Sequence, residues 1–117
     1  MLKIVMLGRA TFTLDGEAIE GFISDKAVAL FCYLVCNRYE HARERLAGLL
    51  WGEMDDKRAK ANLRQALHNL RTLFPNYLRI ERKTAAFEPT QPYQFDVEQF
   101  TAHLDTEPET AVSFYSG

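Results

Sequence analysis

Several shortages in this chain each remove a class of function. In 117 residues no apolar run approaches the roughly 20 residues that a membrane-spanning helix needs. The N-terminus, MLKIVMLGRATF, begins with one Lys and a short alternating apolar run. It lacks the longer apolar core and small-residue cleavage site of a secretion signal. These two features predict a cytoplasmic protein with no membrane partner. The histidines, His41, His68 and His103, are dispersed and form no ligand spacing. There is no Ser/His/Asp set, no Gly-rich phosphate loop, no repeat and no low-complexity segment. The expectation is a protein that is not an enzyme and carries no cofactor and no metal.

Cysteine is scarce too. Cys32 and Cys36 lie at i, i+4 inside an apolar helical stretch. Neighbouring turns of a regular helix hold the wrong geometry for a disulfide. A metal pair would need further ligands, and none sit nearby in sequence. The two are therefore expected to be small core thiols. The length fits about one domain, and 47% hydrophobic with 12% aromatic residues suffices for a core.

The most informative shortage is of acid in one block. Lys57 to Lys83 holds eight Lys and Arg against one acid, Glu81, although the whole chain has net charge −2. Thr84 to Gly117 reverses this, with six acids and no Lys or Arg, and Met1 to Asp56 has six basic and nine acidic residues. Blocks of opposite sign point to a localised anion-binding surface.

Within the basic block, KRAKANLRQALHNLRTLF (57–74) reads as one two-faced helix. Leu63, Leu67, Leu70 and Phe74 recur at helical spacing and form a buried stripe. The other face carries Lys57, Arg58, Asn62, Arg64, Gln65, His68, Asn69 and Arg71, with no carboxylate among them. A solvated helix face ordinarily mixes in Glu. This one suits the major groove of DNA, where Arg can bind guanine, Asn and Gln can bind adenine, and Lys or Arg can hold phosphates.

Around this helix the pattern predicts an α+β domain. Leu2–Leu7 and Ala10–Leu14 read as strands, Asp15-Gly16 as the turn, and Glu17–Ile23 as a return strand split at Gly21. Ser24 is the expected N-cap of a first helix that buries Ala27, Leu30, Phe31, Leu34 and Val35 and ends near Asn37 to Tyr39. A shorter helix, about Ala42 to Trp51, turns Leu46, Leu49 and Leu50 inward, and Gly52 closes it. Trp51 is expected to pack where this helix meets the next rather than to stack on a base. Asp55 or Asp56 caps the basic helix, and Pro75-Asn76 ends it. Tyr77–Ile80 and Ala85–Glu88 form a hairpin around the charged apex Glu81–Thr84. After a linker at Pro89–Pro92, Asp96 caps a helix with Val97, Phe100 and Leu104. A second helix starts near Thr106, with Pro108 in its first turn and Ala111, Val112 and Phe114 apolar. That apolar end has nothing after it to pack on, which predicts a fragment of a longer protein.

Three strands, three helices and a basic hairpin after a basic third helix describe a winged helix-turn-helix. Here the residues resemble a known family. RERLAGLLWGEMDDKRAKANLRQALHNLRTLF (43–74) is similar to the N-terminal OmpR-type DNA-binding domain of antibiotic-regulatory-protein-type (SARP) activators and of larger maltose-regulator-like activators. The matching pieces are LLW, an acidic loop, and an RAxANLRQAL-x-x-LR helix. LGRATFTLDG (7–16) resembles that family's first hairpin, and DVEQF (96–100) the start of its helical bacterial transcriptional activator domain. The basic C-terminal hairpin, the wing of this family, lacks the Gly-Tyr of response-regulator relatives. The resemblance implies a winged-helix DNA-binding domain over residues 1–92 and a truncated helical activator domain over 93–117. It further implies a transcriptional activator on promoter direct repeats of double-stranded DNA, with RNA polymerase as a candidate partner through the 52–56 loop and dimerisation on DNA left open.

The expected DNA contacts combine helix geometry with family position. Gln65 is the first candidate for a base, with Asn62, His68 and Asn69 beside it. Arg58, Lys60, Arg64 and Arg71 hold phosphates, Arg64 with guanine as a second target. Arg82 and Lys83 bring the wing to backbone or minor groove. Arg43 and Arg45 suit either phosphate or plain solvent. The alternative is a winged helix used as a protein–protein interaction module, and RNA binding is weaker because the basic face has no aromatic platform.

Overall fold

A tight turn organises the first strands. Asp15 and Gly16 both take positive φ, 52° and 85°. That is the type I′ geometry whose twist matches the flanking strands, and Gly tolerates it without cost. A computed structural model describes residues 1–6 and 10–96 of the chain. They divide into two compact units, one from Met1–Ile19 with the described residues from Gln91 onward, the other Glu20–Thr90.

The first unit is a four-stranded sheet: β1 (Leu2–Val5), β2 (Thr11–Leu14), β3 (Glu17–Ala18) and β7 (Tyr93–Phe95), in the order β3-β2-β1-β7. β1 and β2 pair antiparallel with Leu2 opposite Leu14 and Ile4 opposite Phe12. Leu2, Ile4 and Phe12 are buried while Lys3 and Val5 are exposed, the period-two pattern of a half-buried strand. The expected meander is present, but its third strand ends at Ala18. Gly21 lies at φ 98° and breaks the extended run. β7 was not expected; it pairs parallel to β1. The expected boundary between residues 92 and 93 therefore falls at the foot of a strand that belongs with β1. Asp96 accepts a hydrogen bond from the Met6 amide (2.8 Å). Leu7 and the two helices expected after Asp96 lie outside the described residues.

The second unit is built on three helices and a small sheet: α1 (Asp25–Cys36), β4 (His41–Ala42), α2 (Arg43–Trp51), α3 (Asp56–Leu73), β5 (Leu78–Ile80) and β6 (Thr84–Phe87). Ser24 caps α1 as its sequence predicts, its Oγ accepting from the Ala27 amide at 3.1 Å. The buried stripe of α1 is Ala27, Leu30, Phe31, Leu34 and Val35. Phe31 stacks flat on Phe74 (centroids 4.1 Å, 6°) and meets Phe87 edge-on (6.0 Å, 82°). These contacts tie α1, the end of α3 and the hairpin into one core.

The cysteines depart from expectation. Cys36 is exposed and Cys32 half-buried, because at about 100° per residue Cys36 lies opposite the α1 stripe and Cys32 well off its centre. Burial and the neighbouring Cys36 push the Cys32 thiol up to about 11, so it is protonated at neutral pH.

On α2 the inward residues are Leu46, Ala47 and Trp51; Leu49 is 56% exposed. At about 100° per residue, Leu49 points well away from the edge shared by 46, 47, 50 and 51. Gly52 follows α2 with ordinary right-handed backbone, φ −61°. Its lack of a side chain still matters, since a Cβ there would sit 2.5 Å from the Gly48 carbonyl oxygen.

The small sheet has the order β4-β6-β5, antiparallel throughout. β5 and β6 are the expected hairpin. The two-residue strand β4 was not expected, nor was the burial of its His41, which is 4% exposed and donates from Nε2 to the Asn37 carbonyl at 2.8 Å. Among the described residues no helix is long and apolar enough to cross a membrane.

Candidate nucleic-acid interface

Everything at this surface hangs on how α3 is held. Asp55 caps the helix, its carboxylate accepting from the Arg58 amide at 2.9 Å, and Asp56 stands in the first turn, where negative charge complements the dipole. Ala59, Leu63, Ala66, Leu67 and Leu70 face inward, and buried Phe74 caps the end. Each fully buried Leu contributes about 1.5–3 kcal/mol. That burial fixes the helix's rotation and so decides where every polar residue points.

On the helical wheel, Lys60, Arg71, Arg64, Lys57 and His68 occupy one flank. Thr72, Gln65 and Arg58 occupy the outer ridge, and Asn69 and Asn62 the opposite flank. Lys57, Arg58, Lys60, Arg64, Gln65, His68 and Arg71 are all exposed.

The cationic flank borders a groove of about 730 Å³. Lys57, Lys60 and Arg64 of α3 line one side, Arg82 and Lys83 of the hairpin tip another, and Arg43 with Glu44 of α2 the third. Glu44 is the one acid among the lining residues. None of Lys57, Lys60, Arg64, Arg82 and Lys83 makes an ion pair among the described residues. Arg79 differs: Glu81 at 2.7 Å and Glu88 at 3.5 Å neutralise it and hold its guanidinium above its ordinary pKa. Five cations without an ion pair among the described residues meet at this groove, and ion-paired Arg79 lies outside it.

Arg43 organises the groove. Its backbone N–H donates to the Lys83 carbonyl (2.8 Å), and its guanidinium to the carbonyls of Glu81 (3.1 Å) and Arg82 (3.5 Å). With the Glu81 amide donating to the Thr84 carbonyl (2.8 Å), this fixes the tip that carries Arg82 and Lys83. Arg43 was read from sequence as a phosphate ligand or solvated. Its bracing role depends on β4, which is too short to leave a sequence signal. Arg45 is exposed and lines no part of this groove.

The amide flank is used differently. Asn69 accepts from the Ile23 amide through Oδ1 (3.0 Å) and donates through Nδ2 to the Gly21 carbonyl (2.9 Å). Asn62 is half-buried and donates to the Met54 sulfur at 3.1 Å. Both amides hold the protein's own loops. Across the outer ridge, Arg64, Gln65, His68, Asn69 and Thr72 share a shallow depression of about 560 Å³ with Ile23. Of the expected contacts, the fold brings Lys60, Arg64, Arg82 and Lys83 together, with Lys57 added. It leaves Gln65 on the ridge and His68 at the edge of the cationic flank both exposed, stands Arg58 and Arg71 apart, and turns Asn62 and Asn69 to structure.

The loop before α3 is committed as well. Glu53 pairs with Lys26 at 2.5 Å, which lowers its carboxyl pKa chiefly through the hydrogen bond, and Asp55 is spent on the cap. Trp51 is 5% exposed beneath Lys26, whose Nζ stands 5.9 Å from the ring centroid. No group of three or more His, Cys, Asp or Glu that could hold a metal occurs among the described residues.

No protein-family model matches the chain, and no curated protein matches it.

Proposed function

We propose that this chain is a sequence-specific, double-stranded-DNA-binding transcriptional regulator, an activator by its family resemblance. In this reading the second unit is a winged helix. α2, the 52–55 turn and α3 form the helix-turn-helix, α3 enters the major groove, and the β5–β6 hairpin is the wing. The observation that carries it is the groove of unpaired Lys57, Lys60, Arg64, Arg82 and Lys83, contributed by helix and hairpin together. Cations kept apart from carboxylates suit a chain of phosphates. Gln65 and His68, exposed beside them, suit base edges. The protein acts by binding alone, with no catalytic step.

Selection from a random-sequence duplex pool tests it. The chain should enrich a motif, and Gln65→Ala should relax preference at one position, by roughly the 1–3 kcal/mol of a bidentate base contact. Enrichment of no motif would count against sequence reading by α3. A second reading, a winged helix that binds another protein, draws support from the commitment of Asn62 and Asn69, which thins the base-reading set. It predicts a basic face that takes an acidic protein partner and binds DNA without preference.

A further inference from the structure

Ile23 is a large apolar side chain, 55% exposed, beside the polar ridge of α3. Its position is fixed from both sides. Asn69 holds its amide and the carbonyl of Gly21, and the next residue, Ser24, is the N-cap of α1. Gly21 lies at φ 98°, which lets the chain turn into this clamp. Ile is also stiff at χ1, so little freedom remains in the side chain itself. The result is a rigid hydrocarbon knob within a depression otherwise lined by Arg64, Gln65, His68, Asn69 and Thr72.

The surroundings decide what the knob fits. The core of a protein interface is enriched in Tyr, Trp and Phe, and none of these lines the depression. Here one apolar side chain stands among hydrogen-bonding and cationic groups. In the major groove one small apolar group stands among hydrogen-bonding base edges and phosphates: the C5-methyl of thymine. Gln65 lines the same depression and can pair with adenine through N6 and N7.

We propose that Ile23 is a specificity-determining residue that packs against a thymine methyl, in the A·T pair read by Gln65 or in the pair beside it. Asn69 is its positioning residue. The proposal rests on the DNA-binding reading above and adds a contact from outside α3.

The test uses a duplex selected by the 117-residue chain, with each thymine replaced in turn by uracil, which lacks only the methyl. At one position uracil should weaken binding about fourfold, the worth of one buried methyl-sized group. Ile23→Ala should bind the thymine duplex more weakly by a similar factor and no longer distinguish thymine from uracil there. Ile23→Val, which keeps a branched side chain, should retain part of the discrimination; it decides the matter if the Ala variant does not fold. If the wild type binds its selected sequence yet treats uracil and thymine alike everywhere, or if Ile23→Ala keeps the discrimination, the Ile23 contact is overturned and α3 reading stands. If no duplex is enriched at all, both fall.

Discussion

The two flanks of α3 begin with similar resources and end with opposite fates. On one, Lys57, Lys60 and Arg64 meet Arg82 and Lys83 across a groove in which Glu44 is the single acid. On the other, Asn62 and Asn69 meet the Met54 sulfur and the Gly21–Ile23 backbone and are satisfied there. A cationic head strongly prefers water or an anion, and none of these five makes an ion pair among the described residues, so each stays exposed. A short amide can satisfy donor and acceptor on backbone nearby, so it is drawn inward. The first flank leaves its charges without ion pairs among the described residues, and the second spends its amides on the fold.

That contrast can be broken experimentally, beginning with its largest lever. Arg43→Ala removes the guanidinium bonds to Glu81 and Arg82. DNA affinity should fall about tenfold as the tip loosens, and stability by about 1 kcal/mol for exposed hydrogen bonds. Titration and thermal melting of one preparation check both. Unchanged affinity would mean that the hairpin tip does not face DNA.

On the opposite flank, Asn69→Ala should cost about 1–2 kcal/mol of stability, because two backbone partners lose their bonds. Its salt dependence of DNA binding should stay that of the wild type, since no charge is lost. A flattened salt slope with undiminished stability would reverse the roles assigned to the two flanks.

The smallest effect concerns α1, away from both flanks. Iodoacetamide at pH 8 should alkylate exposed Cys36 well before Cys32, whose thiol is raised to about 11. The sign of the linkage follows. Cys32 stays protonated in the folded state above the pKa of an unfolded thiol, so its contribution to stability is complete below pH 9. It is lost as pH rises through about 11. Mass-mapped labelling and melting between pH 8 and 11 test this; equal labelling rates would contradict it.

Legibility in the sequence followed the range of the interaction responsible. The Asp15-Gly16 turn, the Ser24 and Asp55 caps, the α3 stripe and the β5–β6 hairpin are local devices, and each stands where the pattern predicts. β4 and β7 are two and three residues long and exist by pairing with strands far away in sequence, so no local pattern marks them. The same limit applied to the site. The exposed placement of Lys60 and Arg64 could be read from helical spacing. The inward use of Asn69 depends on a segment 46 residues earlier, which spacing within the helix does not reveal. Arg43 as a brace went unseen for the same reason. Leu49 was a different kind of miss, since a short helix offers several plausible apolar stripes.

The most direct test of the central claim is the salt dependence of duplex DNA binding by the wild-type chain and by Lys60→Glu/Arg64→Glu, followed by fluorescence anisotropy with melting curves as a folding control. If Lys57, Lys60, Arg64, Arg82 and Lys83 all face phosphates, log affinity should fall against log salt with a slope of about −4 to −5. The double variant should flatten that slope by about two units and melt no lower than the wild type. Identical slopes in two folded proteins, or no binding by the wild type at low salt, would contradict it.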